Sequence, residues 1–423
     1  MKSWFLAAWA AVIGMPCAAQ VQTGHPAGFV LTTDVDGDGC CDALIFEATQ
    51  VHAWFGHAAA PWFTPGPTTA IAHDRRACEP VLCGRDLWLA SLGPLGSAHG
   101  TLECWRVQVD GRLLPIVSYA LAPSAGTNEV TSIRVAAQGF DFDNDGANDV
   151  LALWAEIPRP ASSSMRAAWF SPSSSGTVFD LPQLQLTMHH HELVGLHRCR
   201  NLGQSSDDML AVIAPPPWPA AHGVEFVTIA RGPFGPVMSA EIGFGMAPTT
   251  RLRSTLDERA RSLYGGFSPL PMFGSPVVQF LPGPSVAFDG SPLAPYVPPS
   301  GHWLDTSIAG ALMTGAVADY DGDGADEIVL LDHLDGIGDV LVVTDPMPQS
   351  RRFQAFFQPS ANWLVAHSAW PYEIVHAAPA DVDGDGLLDL VVTLRATSTT
   401  GRIGLFRGVR PSLGAPIELV RVM

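Results

Sequence analysis

The sequence predicts an all-β fold, a seven-bladed β-propeller of four-stranded antiparallel blades with calcium-binding loops. Three observations predict it: one acidic nine-residue loop written four times, seven strand-turn-strand signatures, and a composition of 41 Gly and 36 Pro in 423 residues. Such a composition suits short strands punctuated by turns more than sustained helices.

The chain opens with MKSWFLAAWAAVIGMPCAAQ, one Lys before an apolar core and then small residues. Residues 1–19 therefore read as a secretory signal peptide, too short for a mature membrane anchor. Residues 20–423 read as a single domain. Net charge is -18, and no Lys follows Lys2. An acidic chain with scattered Arg argues against nucleic acid and anionic membrane as partners. Six cysteines follow residue 19, namely Cys40, Cys41, Cys78, Cys83, Cys104 and Cys199. An even number in an oxidising compartment predicts disulfides, with fifteen pairings open.

The acidic loop has the form D-x-D-x-D-G-x-x-[DE]. Its copies place acids at Asp34, Asp36, Asp38 and Asp42; at Asp141, Asp143, Asp145 and Asp149; at Asp319, Asp321, Asp323 and Glu327; and at Asp381, Asp383, Asp385 and Asp389. Carboxylates at positions 1, 3 and 5 of a tight loop converge on one point, and position 9 closes the cage. Such a set suits a hard cation with six to eight oxygen ligands, which is calcium, about four ions in all. Gly39, Gly146, Gly324 and Gly386 at position 6 supply the sharp turn. Without a cation the crowded carboxylates repel, so binding and loop folding are expected to be one event.

Position 12, where an EF-hand needs Glu, holds Ile45, Ala152, Leu330 or Val392. The runs after the loops are short and β-branched and read as buried strands. Strand, acidic loop and buried strand at this spacing resemble the FG-GAP/VCBS repeat of integrin α-subunit propellers and secreted bacterial proteins. The resemblance implies a secreted interaction or adhesion module, extracellular or periplasmic and monomeric, that binds a protein or a glycan. It also leaves room for a carbohydrate-active enzyme resembling polysaccharide lyases, or for a ligand-free scaffold.

Seven hairpins are expected, in units of about 58 residues. They join the strands beginning at Val51, Cys104, Arg166, Val224, Val277, Asp339 and Ile403 to partners near Trp62, LPIVSYA, TVFDL, PVMSAEI, SVAF, FQAFF and IELVRV. Unit two lacks the acidic loop; aligning Asp86 with position 9 puts Cys78 and Cys83 where a disulfide would close it instead. Unit four keeps Asp208 but not the other ligands. Arg251 to Tyr264 reads as a helical insertion, and the two chain ends are expected to complete one blade together, removing its open edges.

Other chemistry is sparse. His189, His190 and His191 with Glu192 and His197 form a possible transition-metal run, although adjacent histidines on a strand face opposite ways. No nucleophile elbow, HExxH, phosphate loop or dinucleotide fingerprint is present. Asp305, Asp332, Asp335 and Glu373 read as loop caps. Trp62, Phe63, Trp105, Trp169, Phe170, Trp218, Trp303, Trp363 and Trp370 recur near strand ends, either as wedges between blades or as stacking faces for sugars.

Overall fold

A computed structural model describes residues 28–47, 49–71, 78–93, 98–123, 129–137, 146, 149–157, 164–180, 192–200, 207–214, 223–232, 235–244, 251–256, 262–272, 275–282, 303–305, 313–318, 320, 327–334, 338–344, 373–395, 401–409 and 418–421. Among these the strands pair into seven antiparallel sheets, each a meander of consecutive strands.

Sheet one holds β1 (Phe29–Thr33), β2 (Asp42–Phe46), β3 (Gln50–Gly56) and β4 (Phe63–Ala70). Sheet two holds β5 (Val81–Cys83), β6 (Asp86–Leu92), β7 (Gly100–Val107) and β8 (Leu113–Leu121). Sheet three comprises β9 (Glu129–Ala137), β10 (Val150–Ile157), β11 (Ser164–Phe170) and β12 (Phe179–Asp180). Sheet four comprises β13 (Glu192–Arg200), β14 (Asp207–Ala214), β15 (Gly223–Gly232) and β16 (Gly235–Phe244). Sheet five runs through β17 (Arg251–Leu256), β18 (Ser262–Met272), β19 (Ser275–Pro282) and β20 (Trp303–Asp305). Sheet six has three described strands, β21 (Met313–Ala318), β22 (Glu327–Leu334) and β23 (Gly338–Thr344). Sheet seven closes the list with β24 (Glu373–Ala380), β25 (Asp389–Arg395), β26 (Gly401–Val409) and β27 (Glu418–Arg421).

The first strands of successive sheets lie beside one another, β5 by β9, β9 by β13, β13 by β17, β17 by β21, β21 by β24 and β24 by β1. The arrangement is a β-propeller. Its core lies between sheets. Leu44, Phe46 and Val51 pack on Leu87, Leu89 and Val107 between sheets one and two. Trp88, Leu102 and Cys104 meet Ile133, Ala152 and Trp154 between sheets two and three. Leu151, Leu153 and Trp169 meet Leu193, Leu196 and Ile229 between sheets three and four. Val30, Ile45 and Phe63 meet Ala378, Val391 and Leu405 between sheets seven and one. Fully burying each such side chain is worth about 1.5–3 kcal/mol.

This layering explains the continuous apolar runs. A second strand is covered on both faces by neighbouring sheets, so β2 is buried throughout and Val150 to Ala155 of β10 are at most 1% exposed. Outer strands such as β8 are largely exposed between their ends.

Three expectations are corrected. The described residues of the span Arg251 to Tyr264 form not a helix but β17 and the start of β18, paired from Arg251↔Phe267 to Leu256↔Ser262. Pairing with β18 along six residues outweighs the helix-like spacing of Leu252 and Leu256. The strand from Val277 pairs with Trp303–Asp305 instead of with SVAF, which lies outside the described residues together with FQAFF. The chain ends share no sheet, since β1 pairs with β2 in sheet one and β27 with β26 in sheet seven. Side-chain and loop contacts join these two sheets instead. Thr32 Oγ1 donates to Pro379 O at 2.6 Å, Cys41 N to Asp381 O at 2.8 Å, and Thr393 Oγ1 to Gly28 O. Phe29 packs on the His376 ring at 4.2 Å between centroids.

Candidate metal centres

Each acidic loop lies between the first and second strands of its sheet, and its ninth residue starts or immediately precedes the second strand: Asp42 on β2, Asp149 before β10, Glu327 on β22, Asp389 on β25. In sheets one and seven the chain must reverse between two strands within eight residues. The glycines permit it. Gly37 and Gly39 have φ of 84° and 91°, and Gly384 and Gly386 have 69° and 83°, the left-handed region that a side chain penalises.

The loops of sheets one and seven share most of their hydrogen bonds and differ in one donor to position 1, the fourth-position amide in sheet one and the fifth-position amide in sheet seven. At position 1, Asp34 accepts from Gly37 N at 2.6 Å and Gly39 N at 3.1 Å, and Asp381 accepts from Asp385 N at 3.1 Å and Gly386 N at 3.0 Å. At position 5, Asp38 accepts from Cys40 N at 2.8 Å and Asp385 from Leu387 N at 2.9 Å. At position 9, Asp42 accepts from Val35 N at 2.7 Å and Gly56 N at 2.8 Å, while Asp389 accepts from Val382 N at 2.9 Å and Gly408 N at 2.8 Å. Two loops far apart in sequence thus adopt closely similar turns because the same residue types recur at the same places.

Ligand-capable oxygens of Asp34, Asp36 and Asp42 lie within 4.8 Å of one another, as do those of Asp381, Asp383 and Asp385. Asp38 and Asp389 stand outside these groups. Asp141, Asp143, Asp145, Asp319, Asp321 and Asp323 lie outside the described residues, and Glu327 is placed by its backbone alone. Burial drives the electrostatics. It pushes Asp42 up to about 6 and Asp389 to about 7, against the pull of their two amide donors. Asp383 is raised too, by burial and then by the Asp385 charge. Carboxylates held together and desolvated in this way are the donor set a hard cation neutralises.

Some residues of the site were not anticipated. Gly56 and Gly408 end the third-strand segments WFG and FRG, and each feeds an amide to the ninth-position carboxylate. A Cβ would lie 2.3 Å from Cys41 O at Gly56 and 2.4 Å from Leu388 O at Gly408. The signal available in the sequence was a glycine directly after the aromatic-rich third strand in both units.

Arg407, just before Gly408, pairs through its guanidinium with Asp383 and with Asp385 at 3.2 Å. Its Cζ lies 4.5 Å from the centroid of the Trp62 ring in sheet one, so that ring serves the contact between sheets. Phe63, Trp169 and Phe170 are buried core, which places them as wedges, while Trp105 donates to Glu103 at 2.9 Å. Trp303 is placed by its backbone, and Trp218, Trp363 and Trp370 lie outside the described residues.

In sheet two a tight turn at Gly84 and Arg85 replaces the loop. Cys78, Cys83 and Cys104 lie in one buried apolar cluster, and neither they nor Cys40 and Cys41 form a disulfide. Burial pushes Cys40 and Cys78 up to about 11 and Cys104 to about 12. The expected Cys78–Cys83 bridge is absent; the thiols pack in the apolar cluster, and Cys83 Sγ also donates to Asp149 O at 3.7 Å. Cys199 and His197 lie on β13, placed by backbone alone, and His189 to His191 fall outside the described residues.

No protein-family profile matches the chain, and no curated protein sequence does. Among solved structures it is similar to BBS1N in complex with ARL6DN, at 12% identity and TM-score 0.48 over 89% of this chain and 92% of that one. The Dos1 propeller is 10% identical with TM-score 0.40, over 83% of this chain and 72% of that chain. AofleA from Arthrobotrys oligospora is 9% identical with TM-score 0.38, over 95% and 88%. At these identities and scores the likeness carries no argument about function.

Proposed function

We propose that this chain is a secreted, monomeric, calcium-binding propeller of the FG-GAP/VCBS type, whose seven sheets are the blades of one ring and which serves as an interaction module for an extracellular protein or a glycan. The observation that supports it is that the loops in sheets one and seven each gather three carboxylates within 4.8 Å, from positions 1, 3 and 9 in one and 1, 3 and 5 in the other. Asp34, Asp36 and Asp42 would hold one ion and Asp381, Asp383 and Asp385 another, with Asp141 to Asp149 and Asp319 to Glu327 supplying two more. Bound calcium would supply charge neutralisation and rigidity. Dissociation constants of about 10⁻⁴ to 10⁻³ M suit an extracellular module of this kind.

The chain's own residues do the rest. Amides of Val35, Gly56, Val382 and Gly408 fix the closing carboxylates, so the loops are half-built before any cation arrives. Calcium titration of the exported protein tests the metal reading, and glycan and surface-protein arrays with and without chelator test the ligand reading. Calcium-dependent capture of a glycan or a protein supports the module. Depolymerisation of a captured polysaccharide would replace it with an enzyme.

A further inference from the structure

Three sheets differ at one structural position. The residue before the amide donor Gly56 or Gly408 stands opposite the acid that begins the second strand: Phe55 in sheet one, Arg407 in sheet seven. Its counterpart in sheet two is Arg106, paired in register with Asp86. Where sheet two lacks an acidic loop, Arg106 forks this carboxylate, Nε to Oδ1 at 2.8 Å and a terminal nitrogen to Oδ2 at 3.0 Å. In sheet two the arginine alone neutralises this acid. Sheet one has the loop and no arginine. Sheet seven has both.

Two observations show that the guanidinium of sheet seven fits its carboxylates only in part. Oδ1 of Asp383, a residue 7% exposed, is buried with no hydrogen-bond partner, and so is Nε of Arg407. Each orphan is costly, because a buried polar atom gives up its water without gaining a partner. Bidentate pairing as in sheet two would leave neither. A divalent ion accepts both oxygens of a carboxylate without needing donor geometry, so it resolves what the arginine leaves open.

We propose that Arg407 is the resident cation of the sheet-seven loop, a latch that a calcium ion must displace, so that this loop takes calcium more weakly than the loop of sheet one. It rests on the calcium reading above. Because the same guanidinium lies over Trp62, and because Cys41 N is bonded to Asp381 O, the exchange takes place at the contact between the first and last sheets. Filling this one site thereby alters how the chain's two ends are joined.

Calorimetric titration of the full chain with calcium chloride, wild type against Arg407→Gln, tests it. Arg407→Gln is expected to tighten one class of sites about tenfold, and Asp383→Asn added to it should abolish that class. Unchanged isotherms, with calcium bound by both proteins, would overturn the latch and leave the calcium reading standing. No calcium binding by either protein would overturn the calcium reading and the latch with it. Should Arg407→Gln not fold, tryptophan emission of the wild type minus that of Trp62→Phe decides. That difference is expected to change as calcium is added, and a difference constant through saturation sinks the proposal.

Discussion

At the residue scale, the ninth-position carboxyls decide how the molecule responds to acid. Asp42 and Asp389 hold protons up to about pH 6 and 7 because burial disfavours their charged forms. Without metal, each binds its proton more tightly folded than unfolded, where carboxyls titrate near 4. Stability in chelator should therefore rise as pH falls from about 7 towards 4, and fall as pH rises through the folded values. With calcium present the Asp42 share of this slope is expected to reverse, because protons would compete with the ion for Asp42 oxygens, whereas Asp389, outside the sheet-seven group, should keep its sign. Melting curves in chelator at pH 7.5 and 5 check this. Asp389→Asn should flatten its share of the slope, and an unchanged slope counts against the assignment. Gly56 and Gly408 make a separate prediction. Alanine at either would drive a methyl into a backbone carbonyl, costing about 1–3 kcal/mol, measurable by urea unfolding. Serine at the same places should be no better.

At the element scale, much of the loop was legible and its partners were not. The D-x-D-x-D-G-x-x-[DE] grammar specifies charges and glycines locally, so the turn, the positive φ at Gly37, Gly39, Gly384 and Gly386, and the buried strand after it could all be read from one segment. Gly56, Arg407 and Trp62 act on the loops from other strands or another sheet, and nothing in nine residues encodes them. The cysteines misled for a related reason. Six in a chain expected to be exported suggest bridges by compartment and number, but Cys78, Cys83 and Cys104 fill one apolar cluster as thiols. Arg251 to Tyr264 misled by composition, because strand pairing with β18 and β19 outweighs local helix preference. In sheet two, Arg106→Met should leave the Asp86 carboxylate buried and unpaired, a loss of about 1–3 kcal/mol by chemical denaturation. Calcium should not restore it, whereas it should restore loops that lose charge balance.

At the scale of the whole molecule, the architecture follows from the apolar second strands. A strand buried on both faces needs a sheet on either side, and repetition around a centre provides this for every unit. What sequence did not reveal was how the ends meet. Shared strands were expected, yet sheets seven and one are joined by Thr32, Thr393, Cys41, His376 and the stacked pair Arg407 and Trp62. Thr32→Val removes the hydroxyl donated to Pro379 O and should cost about 1 kcal/mol, with β1 and β24 gaining hydrogen exchange before the other first strands.

Thermal unfolding of the full chain in calcium and in chelator tests the central claim, that carboxylate loops at the heads of these sheets are tied by divalent cations. Calcium at about a hundred times the dissociation constant should stabilise each filled loop by about 2.7 kcal/mol, and Asp36→Asn and Asp383→Asn should each remove part of that gain. Superimposable melting curves in calcium and chelator, for wild type and both variants alike, would contradict it.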